Sequence, residues 1–252
     1  MENAVLLEIK GLYKDFSGIK IIEGIDLSVK RGERHAIIGP NGAGKTTFFN
    51  LLTGRYKPSK GHIYFNGREI TGWPPHKINR MGISRSFQIT NIFPGLTVFE
   101  NVRAAVLSKN HIRFNPISQV DGMKNITEET YFILQKINLL DKKDRLAGEL
   151  AYGEQRALEI GITLATDPIL IMLDEPTAGM SIDETREVVK LIDQLTRGKT
   201  LMIIEHDMEV VFTLADIITV IHYGKVLATG RPEEIRENPL VKDAYLGGYR
   251  NW

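Results

Sequence analysis

The residues with the most evident chemistry are Gly39-Pro40-Asn41-Gly42-Ala43-Gly44-Lys45-Thr46-Thr47, which fit the pattern G-x-x-x-x-G-K-[ST]. The glycines let the backbone wrap closely, so that successive N–H groups point at one centre at the positive end of the following helix. Lys45 adds a point charge for the β- and γ-phosphates. Thr46 offers a hydroxyl oxygen to Mg²⁺, a hard cation that prefers oxygen, and Thr47 can reach the α-phosphate side. An ordinary glycine-rich turn needs only positive φ angles and has no use for a Lys-Thr pair in this register. The stretch therefore predicts binding of a nucleoside triphosphate, ATP being one.

A second group lies at Asp174-Glu175, directly after the apolar run Ile169 to Leu173. An acidic residue at the end of a buried strand can hold Mg²⁺ through water, which is the role Asp174 suggests. Glu175 can accept a proton from an attacking water or orient it. Two consecutive carboxylates repel one another without a cation nearby. Three further residues are weaker signals. Gln88 ends the strand-like stretch Ile83 to Phe87, and alone a loop glutamine carries no meaning. His206 precedes Asp207 at a helix start and by itself reads as part of a cap. Phe16 either packs in a core or stacks on a nucleotide base.

The elements that must position these groups read as an α/β protein. Glu33 to Ile38 is a buried strand leading into the glycine loop, and Lys45 to Leu52 is a helix closed by Gly54. Leu6 to Leu12 and Ile19 to Val29 are alternating runs broken by Ser17-Gly18 and Gly24, an N-terminal antiparallel region. Gly61 to Phe65 is a strand followed by the hairpin signal Asn66-Gly67. From Gln88 to about Ala157 strand signals vanish. Thr97 to Glu100 is a capping box opening a helix through Leu107, Thr127 starts another through Ile137, and Ser108 to Asn125 reads as loop. The core resumes with a helix over Gly153 to Ala165, the Ile169 to Leu173 strand, a helix from Ser181 to Arg197, strands at Thr200 to Ile204 and Ile217 to His222, and Pro232 opening a short helical tail.

The 252 residues carry 32 basic and 31 acidic side chains, a formal charge of +1, so no global field favours nucleic acid or an anionic membrane. The absence of cysteine excludes disulfides and cysteine metal sites and fits a reducing compartment. No apolar run reaches the roughly 18 residues of a membrane span, and the Met1 to Lys10 stretch is not built like a signal peptide. A cytoplasmic protein is expected, reaching any membrane through a partner.

With the glycine loop placed, three later stretches resemble the ATP-binding-cassette (ABC) ATPases, in order and over nearly the whole chain. Leu150-Ala151-Tyr152-Gly153-Glu154-Gln155-Arg156 looks like the family's signature, Ile169 to Glu175 like its Walker B strand, and His206 like its switch histidine. The resemblance implies a P-loop NTPase core with an N-terminal antiparallel β region and an inserted helical subdomain. One domain would span 1–252, with 1–87 and 158–252 forming the nucleotide-binding core and 88–157 the helical signature subdomain. It implies Mg²⁺ contacts for Thr46, Gln88 and Asp174, and catalytic parts for Glu175, His206 and Gln88. Phe16 would stack on the base. Ala151, Gly153 and Glu154 would close over the ATP of a second ATPase subunit, identical or paralogous.

Ala151, Tyr152 and Glu154 depart from the usual Leu-Ser-Gly-Gly-Gln signature, and Ser181 stands where the family's D-loop usually has Asp. Within the family, the Leu-Ala-Tyr-Gly-x-Gln-Arg run, the Arg85-Ser86-Phe87-Gln88 approach and the Asn238-Pro239 to Gly247 ending look like ATPase subunits of branched-chain amino-acid importers. Ala178-Gly179-Met180 is also similar to urea-importer ATPases. The expected partners are transmembrane permease subunits and, indirectly, an extracytoplasmic solute-binding protein, with no nucleic acid. The expected place is the inner face of the cell membrane. A nucleotide-dependent binding module with little turnover is the alternative of another class. Relatives in DNA repair or translation usually carry a coiled-coil insertion or a second cassette, absent here, and the signature and His206 disfavour a P-loop kinase or GTPase.

Overall fold

The computed structural model describes residues 4–86, 92–110, 112 and 123–246, and these divide into two compact units. The first comprises Met1–Ile83, Met172–Glu175 and Gly198–Trp252. It begins with two long strands, β1 (Val5–Phe16) and β2 (Ile19–Lys30), paired antiparallel with Phe16 opposite Ile19. Ser17 and Gly18 make the turn, with φ of 49° and 87°, the left-handed pair that a two-residue hairpin loop requires. β1 continues past Leu12, and Gly24 does not interrupt β2: Leu12 faces Ile25 while Tyr13 faces Glu23, so Gly24 is an extra residue in a bulge.

The phosphate-loop strand β3 (Arg34–Ile38) has four of its five residues fully buried, as expected for a strand covered on both faces. It feeds the loop that opens α1 (Lys45–Leu52). β4 (Lys60–Phe65) pairs antiparallel with β1, and Asn66-Gly67 turns the chain into β5 (Arg68–Glu69), completing a four-stranded sheet in the order β2-β1-β4-β5. A helix that periodicity did not suggest, α2 (Pro75–Arg80), follows with Pro75 at its first position.

The second sheet adds β6 (Ile83–Arg85), β7 (Leu170–Asp174), β8 (Thr200–Ile204), β9 (Ile217–His222) and β10 (Lys225–Gly230), in the order β10-β9-β3-β8-β7-β6. β3 runs parallel to both β8 and β9, with Ile37 beside Ile204 and Ile38 beside Val220. The strands therefore deliver their following loops to one edge, where open α/β sheets bind ligands.

The second unit comprises Ser84–Ile171 and Pro176–Arg197. Among the described residues it holds four α-helices, α3 (Val98–Lys109), α4 (Lys124–Lys136), α5 (Tyr152–Ala165) and α6 (Ile182–Thr196). Val98, Val102 and Val106 recur every fourth residue along α3 and share a core with Leu134 and Leu158. Thr97 and Ser181 each form the reciprocal capping box expected of them, with Glu100 and Glu184.

Two helix starts differ from expectation. α4 starts at Lys124, not Thr127: the Thr127 amide already donates to the Met123 carbonyl, so Thr127 sits inside the first turn. α5 starts at Tyr152, one residue before Gly153, because Ala151 is extended and serves as its N-cap, and it runs without a break to Ala165.

α5 is fastened by a buried ion pair. Arg156 (1% exposed) meets the Glu159 carboxylate at 2.6 Å, and its Nε donates to the Pro176 carbonyl at 3.1 Å. Removing one partner strands the other charge out of water. Arg156→Ala is expected to cost about 3–5 kcal/mol, whereas Arg156→Met combined with Glu159→Leu should recover most of that loss. Denaturant midpoints of the two variants check this.

Candidate functional site

The glycine loop is held from below by the chain around it. The Gly224 amide, at the tip of the β9–β10 hairpin, donates to the Ala43 carbonyl (3.1 Å), and the Gly224 carbonyl accepts from the Glu23 amide of β2 (2.8 Å). The close approaches demand glycine. A Cβ on Gly39 (φ 153°) would stand 2.0 Å from the Ile221 carbonyl oxygen, and one on Gly44 (φ 102°) would meet the Ile21 oxygen and Ile22 Cδ1 at 2.9 Å. At Gly42 a Cβ would meet nothing within 4 Å, so the loop opens on that side.

Gly44 is the left-handed N-cap of α1 and no side chain caps that helix, which leaves its first-turn amides without intrahelical partners. One amide departs from the expected nest: Ala43 N–H turns inward to the Pro40 carbonyl at 3.2 Å. Lys45, 7% exposed, donates from Nζ to the Gly39 (2.7 Å) and Pro40 (3.1 Å) carbonyls. Burial pushes its ammonium below the ordinary lysine pKa, and the negative charges of Glu175 and Asp174 pull it back up. Thr46 is exposed and Thr47 half-buried at the start of α1.

β7 and β8 deliver the acidic residues to this edge. Asp174 is fully buried as the last residue of β7. Glu175 follows in the left-handed region (φ 47°), with its N–H bonded to the Ile204 carbonyl of β8 at 2.9 Å. A side chain in that conformation costs roughly 1–2 kcal/mol, a strain that such sites often carry. Past β8, Glu205 is fully buried and its carboxylate accepts the His206 amide at 3.2 Å. His206 keeps its ring largely exposed, and the cap of the next helix, α7 (Met208–Leu214), is Asp207. Glu205 was not singled out from sequence, although a carboxylate ending an apolar strand is the same signal that marks Asp174.

Phe16 sits at the tip of the β1–β2 hairpin. Its ring is 39% exposed, edge-on to Tyr56 with centroids 5.2 Å apart, and the Lys14 ammonium lies 4.6 Å from its centroid. It is not core packing. β2 passes from Ile19, opposite Phe16, to the Ile21-Ile22 contact with Gly44, which ties this tip to the loop.

Ala151, Gly153 and Glu154 belong to the second unit. Ala151 has no side-chain oxygen to cap α5, so only half of a capping box exists there: Glu154 accepts the Ala151 amide at 3.1 Å. The Lys142 ammonium is bonded to the same carboxylate and holds its pKa below the usual range. A Cβ added at Gly153 would stand 3.7 Å from the Glu184 side chain, an ordinary contact. Gln88 and Phe87 lie outside the described residues.

Mg²⁺ fits the donor set. Asp174 and Thr46 are hard oxygen donors, and no cluster of three or more His, Cys, Asp or Glu suited to a metal exists among the described residues.

An uncapped helix, a tightly braced glycine loop and a buried lysine flanked by carboxylates serve a protein that grips a polyphosphate, which is the class of P-loop NTPases. The comparisons carry this further. The family model described as ABC transporter matches residues 22–178, and that described as branched-chain amino acid ATP-binding cassette transporter matches residues 225–250.

The chain is 41% identical to the high-affinity branched-chain amino acid transport ATP-binding protein BraF of Pseudomonas aeruginosa, covering 96% of this chain and 98% of that one. It is also 41% identical to LivG of Salmonella typhimurium, with the same coverage. Among solved structures, a nucleotide-free ATP-binding cassette from an ABC transporter superposes with a TM-score of 0.84 at 31% identity, covering 96% of this chain and 99% of that chain. The ADP conformation of the cassette MJ1267 gives 0.84 at 29% identity, over 97% and 99%. This chain belongs to the ABC transporter family, and within it to the branched-chain amino acid ATP-binding cassettes.

The crowding at Gly39 can be tested directly. Gly39→Ala is expected to force the loop away from Ile221, lowering stability by more than about 1 kcal/mol because the added Cβ has no room and the φ angle disfavours it. Ser17→Gly, in the β1–β2 turn, relieves a left-handed residue and should be neutral or slightly stabilising. Thermal unfolding of both variants separates steric crowding at the loop from a general intolerance of change.

Proposed function

We propose that this chain is the ATPase subunit that powers import of branched-chain amino acids, hydrolysing ATP on the Gly39–Thr47 loop. The observation that carries the reading is the Lys45 ammonium, buried between the loop's own carbonyls and under the pull of Glu175 and Asp174. Enzyme activity as an ATPase follows from membership of the family. The C-terminal match over 225–250 favours a branched-chain importer over a urea importer.

In this reading the loop amides and Lys45 bind the β- and γ-phosphates, and Phe16 offers its exposed ring to the base. Mg²⁺, when bound by Thr46 and Asp174, supplies charge neutralisation between the phosphates; Gln88 is assigned to the same group. Glu175 takes the proton of the attacking water, and His206 holds the γ-phosphate end. The Glu175 backbone is fixed to β8 by its amide, so its carboxylate leaves the chain from a set point. Such preorganisation lowers the orientation cost of the water's attack.

Ala151, Gly153 and Glu154 are assigned to the ATP of a second ATPase subunit, and a pair of subunits to two permease subunits. A solute-binding protein outside the membrane supplies the substrate. No helix among the described residues is long and apolar enough to cross a membrane. Attachment at the inner face of the membrane is therefore assigned to the permease.

Lys45→Ala is expected to abolish ATP binding with the fold retained; unchanged affinity in a titration, alongside an unchanged circular dichroism spectrum, would overturn the assignment of the loop. Glu175→Gln keeps the shape of the side chain and loses its basicity, so turnover should fall by roughly 10²–10⁴ while ATP still binds. Wild-type turnover in that variant rules Glu175 out as the base. A wild-type protein that stays inactive even with its permease replaces the ATPase by a binding module.

A further inference from the structure

The segment that follows Glu175 is gripped by α5 at two points one helical turn apart. The Tyr152 hydroxyl donates to the Ala178 carbonyl at 3.0 Å, and Arg156 Nε donates to the Pro176 carbonyl at 3.1 Å. Residues four apart share a helix face, so the two donors address the same stretch of backbone. All of these residues lie within the second unit. Further along, Gly179 is left-handed (φ 79°), and a Cβ there would stand 3.9 Å from the Tyr152 ring. Ser181 then caps α6, its amide and hydroxyl both held by the Glu184 carboxylate. Backbone carbonyls at 176 and 178 and the cap at 181 are thus each tied down, in a segment whose preceding residue is the strained Glu175.

The two grips differ in kind. Arg156 is buried and needed for Glu159, so it serves the fold. Tyr152 is 41% exposed, its hydroxyl bond lies at the surface, and deleting that oxygen leaves the ring in place over Gly179.

We infer that Tyr152 is a positioning residue for hydrolysis: through Ala178 it sets the path of the chain leaving Glu175, and so couples the signature helix of one subunit to that subunit's own proton acceptor. The inference rests on the proposed role of Glu175. Tyr152 replaces one of the usual glycines of the signature, and a glycine has no side chain with which to make this bond. The contact gives the altered signature a means of acting on its own subunit.

The test is steady-state ATP hydrolysis by the chain assembled with its permease, with ATP affinity and thermal unfolding measured in parallel, for wild type, Tyr152→Phe and Glu175→Gln. Loss of one neutral hydrogen bond corresponds to about a two- to tenfold effect, so Tyr152→Phe should lower kcat by about that factor, with Kd for ATP and Tm unchanged. An unchanged kcat in Tyr152→Phe overturns the inference. So does a fall in kcat that is matched by an equal loss of ATP affinity, which would put Tyr152 in nucleotide binding, or by a lowered Tm, which would make it a packing residue. Glu175→Gln reports separately on the base: full activity there refutes that assignment and overturns the inference with it, whatever Tyr152→Phe shows, whereas an inactive Glu175→Gln beside a fully active Tyr152→Phe overturns the inference alone.

Discussion

A lysine ammonium kept almost wholly out of water is the constraint on which the first unit depends. Burying a charge is costly unless donors, acceptors and counter-charges are arranged around it. Lys45 meets that need with the Gly39 and Pro40 carbonyls, which only a tightly wrapped loop can aim inward, and with two carboxylates whose position is set by β7 and β8. Because burial lowers the ammonium pKa and Glu175 and Asp174 raise it, the charge is held by a balance. Any added negative charge shifts that balance toward the protonated form. A polyphosphate is such a charge, so in the proposed function its approach holds Lys45 in the charged form.

The remaining architecture follows from keeping that loop in shape. A glycine-rich segment is entropically expensive to order, and here it is braced rather than left to itself. The β9–β10 hairpin tip supports Ala43, β2 closes against Gly44, and the Ile221 carbonyl fills the space a Cβ at Gly39 would need. β8 runs parallel beside β3 and also borders β7, and its Ile204 carbonyl accepts the amide of Glu175, the residue after β7. Antiparallel pairing would send the following loops to opposite edges. The long N-terminal hairpin therefore has a part in the site as well as in the core, since its tip holds Phe16 and its second strand touches the loop.

What could be read from sequence was chemistry concentrated in short stretches. Gly39–Thr47 was legible because glycine positions, lysine and threonine constrain one another within nine residues, and β3, β7 and β8 because each carries a run of at least three apolar residues that ends at a charged or glycine residue, Gly39, Asp174 or Glu205. The Thr97 and Ser181 caps were legible for the same reason. Thr127 misled because a favourable capping residue also occurs inside first turns, and α4 begins three residues earlier with no side-chain cap at Met123. α2 and α7 are six and seven residues long, too short for a period of 3.6 to declare itself. Gly24 reads as a break in sequence, yet a bulge absorbs it without ending the strand. The contacts of Arg156 and Tyr152 were invisible in the sequence because their acceptors lie 20 and 26 positions away and are backbone carbonyls, which leave no trace in residue type.

The departures from the usual signature form a consistent set once their partners are known. Ala151 removes a capping hydroxyl, and Glu154 partly makes up for it by accepting the Ala151 amide. A carboxylate at that position would by itself repel phosphate, but Lys142 is bonded to it, so the pair presents little net charge. Tyr152 meanwhile turns its hydroxyl to Ala178 rather than leaving a bare glycine. Interactions that a serine, a glycine and a glutamine would direct outward are here partly directed within the subunit. The glycine loop of the first unit, by contrast, matches its motif at every defined position.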